Sequence, residues 1–185
     1  ELAQLSLQFS QNNIKETNDF VLHLTQREDL AGLPDSQIEQ AAAAAAERQL
    51  EGWVFTLHAP SFGPFMQYAE NRALRERMYR AYMTRCAHDN ARNNFEICKK
   101  LVNLRMEMAQ LLGFPCYADY VLKKRMAQTP ERVYNLLEEL KTHYLAPARR
   151  EVEAVEQLAK AKEGADFVLM PWDFAHYAHL LKLRD

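Results

Sequence analysis

Between residues 93 and 112 apolar side chains step by four, three, four and three: Ile97, Leu101, Leu104, Met108, Leu111. Cys98, Val102, Ala109 and Leu112 form an adjacent stripe. That spacing follows the turn of an α-helix and leaves an apolar face wide enough to pack a core. The pattern recurs further on, where Val133, Leu137, Leu140, Tyr144, Ala148, Val152, Val155 and Ala159 are expected to point inward along a helix reaching about residue 162. Five glycines among 185 residues also favour long helices over a loop-rich or all-β fold.

Local punctuation places the helix ends. Gly113 supplies a C-terminal cap and Pro115 prevents continuation, with a shorter helix expected over 116–126. Thr129-Pro130-Glu131 combines an N-cap, a proline at the first helical position and an acid in the first turn. Pro147 predicts a kink, Gly164 an end, and a final helix starts after Pro171. At the front, Leu2, Leu5, Phe9, Asn13, Thr17 and Phe20 share one stripe of a helix over residues 1–20. Residues 20–24 read as a short strand, and Gly32-Leu33-Pro34 as a turn. Ser36 with Glu39 forms a capping-box signature opening a helix through the alanine run 41–46 to Gln49.

Trp53, Phe55 and Leu57 alternate with Val54, Thr56 and His58, the pattern of a second strand that Ala59-Pro60 ends. Gly63-Pro64 is expected to turn the chain, and two helical segments meet near Glu70-Asn71. The two strands flank one helix and are expected to pair, in a direction that sequence leaves open. The expected fold is mainly α, a multi-helix bundle-like domain with one small two-stranded β element. Its order is helix, strand, helix, strand over about 1–58 and helices over 60–185, forming a single helical scaffold across 1–185. No repeat of roughly 30–40 residues supports a solenoid.

A formal net charge of -2 gives no basic field for nucleic acid or an acidic membrane. Acids and bases interleave, and residues 72–77 (RALRER) read as a solvated helix face. Cys86, Cys98 and Cys116 are odd in number and lack a C-x-x-C pair, so buried reduced thiols are expected. No run approaches the roughly 20 apolar residues of a membrane helix.

Residues 52–85 fit throughout the pattern G-W-x-x-T-L-x-x-P-S-Y/F-x-P-x-M-x-Y-A-x-N-R-x-L-R-x-x-M-Y-x-A-Y-x-x-R. Residues 104–114 fit L-R-x-E-x-A-x-L-L-G-F/Y, and 169–173 (LMPWD) fit L-x-P-W-D. Phe9-Ser10 with Asn12-Asn13 and Thr17 fits F-S-x-N. On these residues the chain resembles the zinc metallopeptidases of the thimet oligopeptidase, neurolysin, oligopeptidase A and peptidyl-dipeptidase family. The likeness covers nearly the whole chain. Tyr120-Val121-Leu122 and residues 130–134 (PERVY) lean toward the peptidyl-dipeptidase branch. Two departures stand out: His176 replaces the first tyrosine of W-D-x-x-Y-Y, and the region 88–94 is short.

That family's chemistry rests on H-E-x-x-H, whose histidines hold zinc from one helix face while the glutamate activates water. None of the six histidines here (His23, His58, His88, His143, His176, His179) begins such a motif. The resemblance therefore implies an internal fragment, opening at Glu1 inside one amphipathic helix and stopping at Asp185 after another, with no catalytic residue of its own. The parent enzyme would use zinc and hydrolyse short peptides, with this part as scaffold and channel wall. No cofactor is expected in the fragment. Its partners would be short peptides, through the parent, and the remaining catalytic part of the same polypeptide. No nucleic acid or membrane partner is expected. The compartment would be cytoplasmic, or periplasmic given an upstream signal.

Among local groups, Asp173, His176 and His179 could share a helix face and ligate a metal, although packing is the ordinary role of such residues. His58 beside Ser61 lacks an orienting third group, and Cys116 lacks a partner base. Tyr68, Tyr79 and Tyr82 belong to an aromatic and methionine-rich group whose default role is core packing, and from which the resemblance implies that some side chains line a peptide channel. The competing expectation is a free-standing α-helical interaction module without enzymatic activity. A third is a small metalloprotein centred on Asp173, His176 and His179.

Overall fold

A computed structural model describes residues 1–184. The described residues form helices α1 (Leu2–Asp19), α2 (Asp35–Ala46), α3 (Ala59–Tyr68), α4 (Arg72–Met83), α5 (Phe95–Leu111), α6 (Tyr117–Leu122), α7 (Pro130–Glu163) and α8 (Pro171–Lys182). Two strands, β1 (Val21–Leu24) and β2 (Trp53–Thr56), make one small sheet. The mainly helical class and its single two-stranded element thus agree with the sequence. Asp185, where the final helix is expected to stop, lies outside the described residues.

Close contacts divide the chain into two compact units, one of residues 13–88 and 153–185, the other of 1–12 and 89–152. In the first unit the strands pair antiparallel, with Leu22 opposite Phe55 and Leu24 opposite Trp53. Simple alternation fails in β2, where Val54 and Phe55 are both buried. The strand packs on two helices: it runs along α2, and Phe55 meets Phe65 of α3 edge-on at 4.7 Å. The alanine run allows this close approach, because Ala41 and Ala45 are buried with almost no side chain to displace.

The capping box at Ser36 and Glu39 does not form. Helix α2 starts one residue earlier at Asp35, follows Pro34 without a side-chain cap, and stops at Ala46 instead of Gln49. Gly63-Pro64 likewise makes no turn, since α3 runs straight through both. Pro64 forfeits one intrahelical bond, but Phe65 and Met66 beside it are buried and offset that loss. Helices α3 and α4 do separate at Glu70-Asn71 as expected. Gly32 permits a close crossing: with φ of +83°, any Cβ there would stand 2.3 Å from the Tyr68 carbonyl oxygen.

The second unit is built on α5, which buries Ile97, Leu101 and Ala109. Of the adjacent stripe only Ala109 is buried, whereas Cys98, Val102 and Leu112 are exposed, and the main stripe ends on an exposed Leu111. In α1 the expected stripe also shifts: Phe9 is exposed and Asn12 is buried, donating from Nδ2 to Asn94 Oδ1 at 2.9 Å. Asn94 passes the tie on to the Phe9 carbonyl at 3.1 Å. Helix α6 is shorter than expected. The cap of α7 forms as read, with the Arg132 N–H donating to Thr129 Oγ1. Helix α7 passes through Pro147 and ends before Gly164, whose φ is +115°. Its expected inward row is buried only at Val155 and Ala159; Leu137, Leu140, Tyr144 and Val152 are exposed.

Candidate functional site

The first unit contains one dense polar node, assembled from two of the motifs noted above. Asn71 caps α4 by accepting from the Leu74 N–H, and its own amide donates to Asp29 at 2.9 Å. The N-R-x-L-R order then puts Arg72 and Arg75 three apart on one side of the helix. Pro171 opens α8 with its preset φ, leaving Asp173 in the first turn where an acid suits the helix dipole.

Asp173 is fully buried and its carboxylate is saturated. Arg72 donates from Nε and from Nη2, the latter at 2.7 Å to Oδ2. Arg75 Nη2 donates to Oδ1 at 3.0 Å, and the Met170 N–H donates to Oδ2 at 3.0 Å. Arg75, only 1% exposed, also reaches the Trp172, Ala69 and Glu70 carbonyls, so one guanidinium ties the end of α3 to the start of α8. Arg72 completes the clamp through the Val168 carbonyl and lies 4.5 Å over the Phe167 ring.

Burial opposes ionisation of Asp173, yet the hydrogen bonds from Arg72, Met170 and Arg75 outweigh it and hold the carboxyl below its ordinary range. The same bond to Asp173 pushes Arg72 up. Desolvation, followed by the hydrogen bond to Glu163, raises the Tyr177 phenol to about 12. Residues 72–77 are therefore not simply a solvated face. Arg75 is a buried structural cation, and sequence reasoning misses it because Arg72 and Arg75 sit among residues of alternating charge.

Asp173, His176 and His179 each engage a partner from another helix. Both Asp173 oxygens are engaged by arginine. His176 Nδ1 donates to the Gln67 carbonyl at 3.1 Å, while His179 Nδ1 shares a 2.9 Å hydrogen bond with the Gln67 side-chain amide. The two rings straddle one glutamine and fasten α8 to α3. No group of three His, Cys, Asp or Glu is placed to hold a metal ion among the described residues. Burial, then the charge of Arg75, lowers the basicity of His176.

The tyrosines pack. Tyr68 meets the His179 ring edge-on at 4.8 Å, and Tyr79 approaches Trp172 at 6.1 Å. Tyr82 stacks on Phe62 at 4.2 Å beneath the Arg85 guanidinium. All three lie against the core formed by Leu22, Phe55, Phe65, Met78 and their neighbours. His58 is exposed at the start of α3, and the Ser61 hydroxyl accepts from the Thr56 N–H, so the two make no nucleophile–base pair. Cys116 precedes α6 and donates its thiol proton to Asp119 at 3.0 Å. Chemically the node is a lock: its acid is spoken for and its bases hold helices together.

These interlocking residues are also where the chain meets known proteins. The profile of peptidase family M3 matches residues 65–184. Oligopeptidase A of Escherichia coli (strain K12) is 38% identical over 194 residues, covering 100% of this chain and 28% of that protein. Probable cytosolic oligopeptidase A of Arabidopsis thaliana is 36% identical over 98% of the chain and 27% of its own length. Dipeptidyl carboxypeptidase of Escherichia coli (strain K12) is 31% identical over the same shares. Identity is thus higher to these oligopeptidase A proteins, whereas the short motifs near 120 and 130 lean toward the peptidyl-dipeptidase side. The chain spans little more than a quarter of the length of these relatives. By the extent of the profile match, the chain belongs to peptidase family M3.

Proposed function

We infer that this chain is the scaffold part of a zinc-dependent oligopeptidase or peptidyl-dipeptidase that hydrolyses short peptides. One observation carries the reading. The residues that define the family motifs here, Asn71, Arg72, Arg75, Trp172 and Asp173, are used up in caps, buried ion pairs and packing. Side chains so engaged hold a shape, and are in no position to activate water or polarise a peptide carbonyl. The H-E-x-x-H helix, the zinc and the general base belong to the remaining polypeptide in this reading, as do the residues that touch substrate. Tyr68, Tyr79 and Tyr82 would stiffen a channel wall from behind. No helix among the described residues is long and apolar enough to cross a membrane. A cytoplasmic place is proposed, in keeping with the cytosolic name of the Arabidopsis relative.

The test compares the 185-residue chain with the longer polypeptide of its gene on an internally quenched short peptide. The longer protein should cleave it, lose activity in a chelator and regain it with zinc, while the chain alone stays inert. Turnover by the purified chain in the presence of chelator would overturn the assignment.

A further inference from the structure

Next to the Arg72–Asp173 lock lies a cavity of about 360 Å³, lined entirely by residues of the first unit. That volume is at the low end of ligand pockets, ~300–1,000 Å³. His176 lines it and is 9% exposed, with Nδ1 held by the Gln67 carbonyl at 3.1 Å. A carbonyl only accepts, so Nδ1 carries the proton and the neutral ring keeps a lone pair on Nε2. Among the described residues Trp172 Nε1 is the one buried side-chain nitrogen or oxygen without a partner. His176 Nε2, equally unpartnered, is therefore not sealed in protein and opens on the cavity. The family pattern has tyrosine here, whose phenol can donate as well as accept, so a bare acceptor is particular to this chain.

Charges of both signs share this lining and are unspent. Among the described residues the Glu70 carboxylate and the Lys162 ammonium make no hydrogen bond or ion pair. Arg72 uses Nε and Nη2 on Asp173 and Val168, leaving Nη1 open, and Glu163 gives only Oε1 to Tyr177. The Glu70 charge reaches His176, which makes one acceptor pole. Arg72 and Lys162 supply the donors. A bare anion would meet Glu70 and Glu163, and a bare cation would meet Arg72 and Lys162, so either carries a like-charge penalty. A molecule bearing an ammonium and a carboxylate satisfies both poles, and a guanidinium suits the carboxylate in particular. Leu180 adds an apolar patch to the same wall.

We propose that this cavity binds a small zwitterion, a free aliphatic α-amino acid. Glu70 and His176 Nε2 accept from its ammonium, and Arg72 Nη1 and Lys162 Nζ donate to its carboxylate. The site stands apart from the scaffold reading and fails or holds without it. The test titrates L-leucine into the 185-residue chain carrying ¹⁵N in its histidine rings, with the His176 signals assigned from His176→Phe. Where the amide spectrum of the chain shows it unfolded, the same His176 signals are followed in the longer polypeptide. Leucine should move the Nε2 resonance saturably. Leucinamide, which lacks the carboxylate, and N-acetylleucine, which lacks the ammonium, should each bind roughly tenfold or more weakly, the weight of one hydrogen bond to a charged group. Glu70→Gln and Lys162→Gln, both at exposed positions, should weaken leucine by a similar factor. No shift of Nε2 up to about 10 mM leucine would overturn the proposal. Leucinamide binding as well as leucine would reduce the cavity to a cation site, and N-acetylleucine or inorganic phosphate doing so would reduce it to an anion site; each overturns the proposal.

Discussion

Replacing Asp173 with asparagine tests the central structural claim, because the side chain keeps its shape and loses its charge. The carboxylate accepts from Arg72, from Arg75 and from the Met170 N–H, and an amide offers one oxygen where two were in use. Its nitrogen would face donors. Arg72 is 44% exposed along its side chain and can turn to water, so its share is discounted to about 1 kcal/mol. Arg75 is 1% exposed and has no such exit. Leaving a buried cation without its counter-ion costs about 3–5 kcal/mol, so Arg75 dominates the loss. With a urea slope of about 2 kcal/mol/M, the midpoint should fall by roughly 2 M. Both tryptophans, Trp53 and Trp172, lie in this unit, so intrinsic fluorescence reads the transition. Arg72→Met serves as the comparison and should cost about 1 kcal/mol. Asp173 also has a sign in pH. Its folded pKa is depressed, so its contribution is full above the unfolded value near 3.8 and fades as pH falls below that. The asparagine variant should lack that acid limb. A loss below about 1 kcal/mol, equal to that of Arg72→Met, would refute the dependence of one buried guanidinium on this acid.

Two further outcomes follow from the same unit. Burial and Arg75 depress the folded pKa of His176, so the unfolded chain takes up a proton first and stability declines as pH falls below about 6.5. His176→Tyr, which restores the residue type of the family pattern, should flatten part of that slope in thermal melts; an unchanged slope would exclude His176 as its source. Gly32→Ala forces a Cβ to within 2.3 Å of a backbone oxygen at positive φ and should cost about 2 kcal/mol or more, whereas Gly63→Ala, with open space around it, should stay within about 1 kcal/mol of wild type in the same urea titration.

What the sequence discloses and what it hides divide along physical lines. Periodicity and caps are local, so α5, the Thr129 cap of α7 and the break between α3 and α4 are legible from spacing alone. The direction of the strand pair, the second buried face of β2 and the passage of α3 through Gly63-Pro64 depend on what lies alongside, which spacing does not report. The charged node is the sharpest case. Arg75 and Asp173 are 98 positions apart, and each looks like a surface charge until the other is placed beside it. The motif likeness does contain the signal, since N-R-x-L-R and P-W-D are the two halves of that contact. Helical spacing alone offers Asp173 to a metal, and the geometry gives it to architecture. The same logic explains the open stripe of α7: its 3–4 spacing correctly announces a packing surface. Spacing says that a helix face must be covered, never by what.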